Sequence, residues 1–141
     1  MSLSTEAHDR GEAPVLSMAL APGPEAPSLA RAAISGFAGD AAVDLRTVGT
    51  VKLLVSELVT NAVVHPVVQP PAEIRLVARI DPGVLRVEVT DRGDGFTPRP
   101  RDDARADRGY GLYLLDKVAA RWGVDRLSGT TVWFELALPA R

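Results

Sequence analysis

Cysteine is absent from the 141 residues, which removes disulfides, thiolate nucleophiles and cysteine-ligated zinc from consideration. Histidine occurs only at His8 and His65, too few to hold a metal ion without several carboxylates. Lysine is as scarce, at Lys52 and Lys117 alone, so the basic charge is almost all arginine. A net charge of −2 argues against a general binder of nucleic acid or of membrane surfaces. No apolar run approaches the roughly 18–20 residues of a membrane span, and the opening MSLSTEAHDRGEAP is polar, with no signal-peptide core. The expectation is a cytoplasmic protein with no membrane and no direct nucleic-acid contact. What is present is apolar residue, 46% of the chain, enough for one core in one domain.

That apolar content is patterned. Residues 1–13 are polar and aperiodic and read as a disordered leader, followed by a single domain over 14–141. Leu16, Met18 and Leu20 alternate in a short strand from Val15 to Leu20 that stops at Ala21-Pro22-Gly23-Pro24. Pro27 to Ala38 reads as a helix capped by Ser28, with Leu29, Ala33 and Phe37 inward and Arg31 exposed. Val51, Leu54, Val55, Leu58, Val59 and Ala62 have the spacing of a buried helix face. That longer helix is opened by Asp44 or Thr47 and ends at His65-Pro66, because proline disfavours the α conformation before it.

Glu73 to Ile80 and Val84 to Thr90 alternate cleanly around Asp81-Pro82-Gly83, which predicts an antiparallel hairpin with one face on a helical layer. Residues 97–108 form a long polar loop. Tyr110 to Arg121 reads as a helix with Leu112, Leu115, Ala119 and Trp122 inward, and Val124–Leu127 and Thr131–Leu138 as two closing strands. The order β-α-α-β-β-α-β-β lacks the repetition of a doubly wound sheet. It predicts an α+β two-layer sandwich, an antiparallel-rich mixed sheet covered on one face by about three helices.

Several features sit badly with a purely structural role. Glu57 and Asn61 lie one turn apart at the margin of the apolar face, where a carboxylate is costly unless something uses it; a solvated helix flank is the plain alternative. Asp91 continues the parity of Leu85, Val87 and Val89, so its strand aims a carboxylate at the core side. Gly93 and Gly95 follow it, as a tight turn or as a close approach to something flat. Gly109-Tyr110-Gly111 leads into a helix, where free N–H groups make a phosphate seat, or a simple loop-to-helix junction. It is neither a Rossmann fingerprint nor a Walker loop. Ser128-Gly129-Thr130-Thr131, taken alone, is a hairpin turn.

In this order, Glu57-x-x-x-Asn61, Asp91-x-Gly93-x-Gly95, a flexible lid over 97–108, Gly109-x-Gly111 and Gly129-Thr130-Thr131 closely resemble the GHKL ATPase superfamily of gyrase, Hsp90, histidine kinases and MutL. The stretch from Glu57 to His65, Glu-Leu-Val-Thr-Asn-Ala-Val-Val-His, is similar to the branch of anti-sigma factors with serine-protein kinase activity. The resemblance covers about residues 15–138 and implies the Bergerat ATP-binding fold. It implies that Asn61 ligates Mg²⁺ bridging ATP phosphates, that Glu57 is the general base, and that Asp91 accepts from the adenine amino group. It further implies that Gly93 and Gly95 line the base pocket, that Gly109 and Gly111 cradle phosphates at the head of the helix beginning near Leu112, and that Thr131 stands near the adenine. Arg105 and Arg108 would be phosphate contacts from the lid, which departs from the family in lacking a lysine near the phosphates. The partners implied are a sigma factor and a STAS-type anti-anti-sigma antagonist, and the resemblance allows a homodimer. The alternative is an ATP-sensing module that binds partners without phosphotransfer.

Overall fold

Strand pairing fixes the architecture. In a computed structural model, residues 2–6, 13–64, 73–91, 106–126 and 129–139 are described. The elements are β1 (Ser2–Glu6), β2 (Val15–Leu20), α1 (Ala26–Asp40), α2 (Leu45–Val64), β3 (Ile74–Asp81), β4 (Val84–Asp91), α3 (Ala106–Val118), β5 (Arg121–Asp125) and β6 (Thr130–Ala137). The strands form one six-stranded sheet in the order β1-β2-β3-β4-β6-β5. All pairs among these strands are antiparallel, so the sheet is not mixed.

Alternation decides which face is covered. Leu16, Ala78, Val87 and Phe134 are partners in one row across the sheet, and Met18, Leu76, Val89 and Val132 in the next. These side chains, with Leu20, Ile74, Leu85 and Leu136, meet the buried face of α1 (Ala26, Ala30, Ile34, Phe37) and that of α2 (Val51, Leu54, Val55, Leu58, Val59, Ala62) in one core. α3 adds Leu115, with Leu112 packed at the edge. At about 1.5–3 kcal/mol for each large aliphatic or aromatic side chain removed from water, this layer is the main source of stability. The other face is polar. There Arg86 donates to Glu88 and Glu135 at 3.1 and 2.9 Å and lies 4.2 Å from the Trp133 ring centroid.

Several expectations are corrected. Ser2–Glu6 is a strand and not part of a disordered leader; a polar segment with no apolar alternation is ordered by the unpaired backbone edge of β2. α1 begins at Ala26, with Pro27 in its first turn, and neither Ser28 nor the N-cap Glu25 makes a side-chain cap. Leu29 is 40% exposed, and the inward stripe runs through Ala30 and Ile34. Arg31 is half-buried and donates from Nη1 to Ser56 Oγ at 2.8 Å. α3 starts at Ala106 and ends at Val118, and Trp122 belongs to β5 opposite Phe134. Both a helical and a strand period turn Trp122 inward, so the sequence pattern cannot separate them; pairing with β6 overrides the helix propensity of Ala119 and Ala120. His65, Pro66, Gly93, Gly95, Arg105 and Ser128 lie outside the described residues.

Asp44 opens α2 as expected, accepting from the Thr47 N–H at 3.1 Å. Hydrogen bonding from the Thr47 side chain, then from its backbone N–H, holds the Asp44 carboxyl below its ordinary value of 3.8. A depressed acid stabilises the fold above its unfolded-state pKa, and that contribution disappears as pH falls through the folded value. Asp44→Ala is therefore expected to lower Tm by a few degrees at neutral pH. The gap to wild type should close below pH 3.8, as followed by circular dichroism melts across a pH series.

Candidate functional site

Chain direction brings the candidate residues to one end of the sheet. Leu20, Ile74, Asp91 and Thr130 are successive partners across β2, β3, β4 and β6. α1 begins soon after Leu20 and so runs away from that row; α2 returns toward it, and after α2 the chain enters β3 at Ile74, a member of the row. α3 ends at Val118 and leads into β5 at Arg121, which pairs with Glu135 toward the opposite end. The first turns of α3, including Gly109 and Gly111, therefore lie toward the end that holds Asp91. So do the last turns of α2, which carry Glu57 and Asn61.

The flanks of α2 are assigned by one hydrogen bond. At about 100° per residue, the buried stripe Val51-Val55-Leu58-Ala62 has Lys52 and Ser56 on one side and Glu57 and Asn61 on the other. Ser56 accepts from Arg31 of α1, so the Ser56 flank faces α1. Glu57 and Asn61 face away from α1, to the side of α2 on which α3 packs; α2 also rests on β4 and β6. Both residues are half-buried. A carboxylate and a carboxamide thus border the gap between α2 and α3, above the strands that carry Asp91 and Thr130.

The floor of that gap is polar where the rest of the covered face is apolar. Asp91 and Thr130 are each 5% exposed, directly opposite one another in the β4–β6 register, and Asp91 Oδ2 is closed off from solvent. Burying a carboxylate among Leu, Ile and Val is expensive, which makes this pair the most pronounced departure from core chemistry among the described residues.

Thr130 is not among the residues singled out from the sequence, and it is the one that faces the helices. The resemblance implied Thr131, but Thr131 lies on the opposite face of the sheet, where its Oγ1 is 2.7 Å from Thr90 Oγ1. Parity held the signal: Val132, Phe134 and Leu136 face the helices, and so must Thr130. Gly109 and Gly111 lie within α3 and do not precede it, because the helix begins at Ala106; residues 106–108 accordingly belong to the helix and not to a loop. Of Arg108, Gly109 and Gly111 only the backbone is described. Leu112 packs against the core from the next turn.

The donors at this end of the sheet suit a magnesium–nucleotide pair. Among the described residues no group of three His, Cys, Asp or Glu side chains is placed to hold a metal. Mg²⁺ characteristically takes one or two protein oxygens and fills its octahedron with phosphates and water, a demand the Asn61 carboxamide oxygen can meet. The head of α3 presents the positive end of its dipole on the same side.

The chain is similar to several known proteins. Residues 20–136 match the family described as Histidine kinase-like ATPase domain. The chain belongs to that family. It is 35% identical over 69 residues to an anti-sigma F factor of Clostridium acetobutylicum, spanning 49% of this chain and 48% of that protein. It is 30% identical over 122 residues to the serine-protein kinase RsbW of Bacillus subtilis, spanning 77% of this chain and 76% of that one. The structure of the RsbU and RsbW domains of a Mycobacterium tuberculosis protein superposes with a TM-score of 0.71 at 23% identity. That superposition covers 91% of this chain and 34% of the other, and shows the shared α+β fold. A blue-light activated histidine kinase of Erythrobacter litoralis gives a TM-score of 0.57 at 30% identity, over 68% of this chain and 32% of the other. The chain thus spans about half the length of the anti-sigma F factor and a third of either structural neighbour. Family membership carries nucleotide binding with it, and the two adjacent threonines provide a matched test. Thr130→Val should weaken ATP binding about 10-fold, the loss of one buried hydrogen bond, whereas Thr131→Val on the open face should leave it unchanged in isothermal titration.

Proposed function

We propose that the chain is a Mg²⁺-ATP-dependent protein serine/threonine kinase that holds a sigma factor and phosphorylates a STAS-type anti-anti-sigma antagonist. The observation that carries this is the gathering of Glu57 and Asn61 with the buried Asp91–Thr130 pair and the head of α3 at one end of the sheet. The names of the two curated relatives, anti-sigma F factor and serine-protein kinase, support the choice of reaction and of partners.

Each residue has a distinct task. Asp91 accepts from the amino group of adenine, with Thr130 beside it as a hydroxyl able to donate or accept. Asn61 offers its carboxamide oxygen to Mg²⁺, which when bound neutralises phosphate charge. Glu57, one turn earlier on the same flank, would take the proton of an incoming serine or threonine hydroxyl as its oxygen bonds to phosphorus and the bond to ADP breaks. Gly109 and Gly111, with Arg108, belong to the helix head that would face the phosphates; the resemblance assigns Gly93 and Gly95, outside the described residues, to the base pocket. Positioning and electrostatics supply most of such a rate, since phosphoryl transfer asks little covalent work of the protein.

The test separates transfer from binding. Glu57→Gln should lower transfer of labelled γ-phosphate to a STAS protein at least about 100-fold, the scale of general-base catalysis, while ATP affinity stays within about twofold. Asp91→Asn should lose ATP binding itself. A wild-type protein that binds ATP but labels no STAS partner would leave an ATP-sensing module in place of a kinase.

A further inference from the structure

A polar bond joins α1 to α2, and it lands one residue before Glu57. Arg31, half-buried on α1, donates from Nη1 to Ser56 Oγ at 2.8 Å. Among the described residues it is the one side-chain hydrogen bond between the two helices. Both helices otherwise give their buried stripes to a shared apolar core. Hydrophobic burial is non-directional, so it fixes how deeply α2 sits on the sheet more firmly than how far the helix is turned about its own axis. A hydrogen bond from a guanidinium is directional and short. Ser56 and Glu57 are consecutive and stand about 100° apart around α2, the first toward α1 and the second toward α3. A bond that stops rotation at Ser56 therefore holds Glu57 as well. On a helix about 10–12 Å across with its side chains, a turn of about 10° carries a side-chain head through about 1 Å. Misplacement on that scale can cost on the order of 100-fold in rate.

We propose that the Arg31–Ser56 bond positions Glu57 for proton transfer, so that both residues act on the rate of phosphoryl transfer without touching the substrate. The inference rests on Glu57 as general base in the proposed kinase reaction. Its target is Glu57 more than Asn61. A base works only within hydrogen-bond reach of the hydroxyl, whereas Mg²⁺ keeps waters in its octahedron that take up small displacements of one ligand. In the same reading the adenine is held by the Asp91–Thr130 pair, which belongs to the sheet and not to α2. Nucleotide affinity is therefore not expected to follow the bond.

Single-turnover transfer of labelled γ-phosphate to a STAS protein, at saturating ATP and STAS protein, tests this in the full chain. Ser56→Ala removes the acceptor; Arg31→Met removes the donor and keeps an unbranched apolar stem. Each variant, and the double variant, should slow transfer by the same factor of about 10, because they break one bond. ATP affinity should stay within about twofold of wild type in all three. On a Glu57→Gln background, where proton abstraction is already lost, Ser56→Ala should slow the residual transfer no further. A merely structural loss would lower the rate on both backgrounds. Variants that transfer at the wild-type rate overturn the proposal and leave the kinase reading standing, as does a Ser56→Ala loss that persists with Glu57→Gln. A wild type that binds ATP but labels no STAS protein overturns the kinase reading and this proposal with it.

Discussion

A carboxylate set into the covered face of a sheet is the constraint from which the functional reading follows. Asp91 occupies a position that alternation assigns to the core, in line with Leu85, Val87 and Val89. Folding alone would favour an apolar side chain there. Its register partner Thr130 is equally buried, so the polar patch is a two-residue feature shared by two neighbouring strands. The fold tolerates it because the patch lies in the last row of the sheet, at the end where β4 stops and β6 begins, and because the rows behind it are wholly apolar. The core between Leu16 and Phe134 supplies the stability, which leaves the end row free to carry polar groups.

α2 connects that patch to the rest of the chemistry by having three differently employed sides. Its apolar stripe lies on the sheet, the Ser56 side is fastened to α1 by Arg31, and the side bearing Glu57 and Asn61 is left to the gap beside α3. The helix is held on two sides, which gives the half-buried carboxylate and carboxamide on the third fixed positions on a rigid element. The return of α3 from the same end of the sheet sets a helix head, with its partial positive charge, toward this flank.

Much of this was legible in the sequence, and the failures have physical causes. The hairpin from Ile74 to Asp91 and the start of α2 follow from alternation and from the Asp44 cap, both local signals. The inward carboxylate at Asp91 follows from strand parity. The same parity argument identifies Thr130, whereas reading the resemblance by motif position led to Thr131, which the structure turns to the open face beside Thr90. Trp122 was ambiguous because a helix and a strand both bring it inward, and only the non-local pairing with Phe134 decides. Arg31 looked exposed because a side chain reaching to a neighbouring helix leaves no periodic trace. β1 was unreadable for a related reason: its order comes from the edge of β2, not from its own composition.

The central claim is that the Asp91–Thr130 end of the sheet selects adenine through the donor on its amino group. Equilibrium binding of ATP and of inosine triphosphate, which differ in having an amino donor or a carbonyl acceptor at that position of the base, tests it most directly. A site built around a buried carboxylate should prefer ATP by at least about 10-fold, since the carbonyl would leave the acid facing an acceptor. Equal affinity for the two nucleotides would contradict the account.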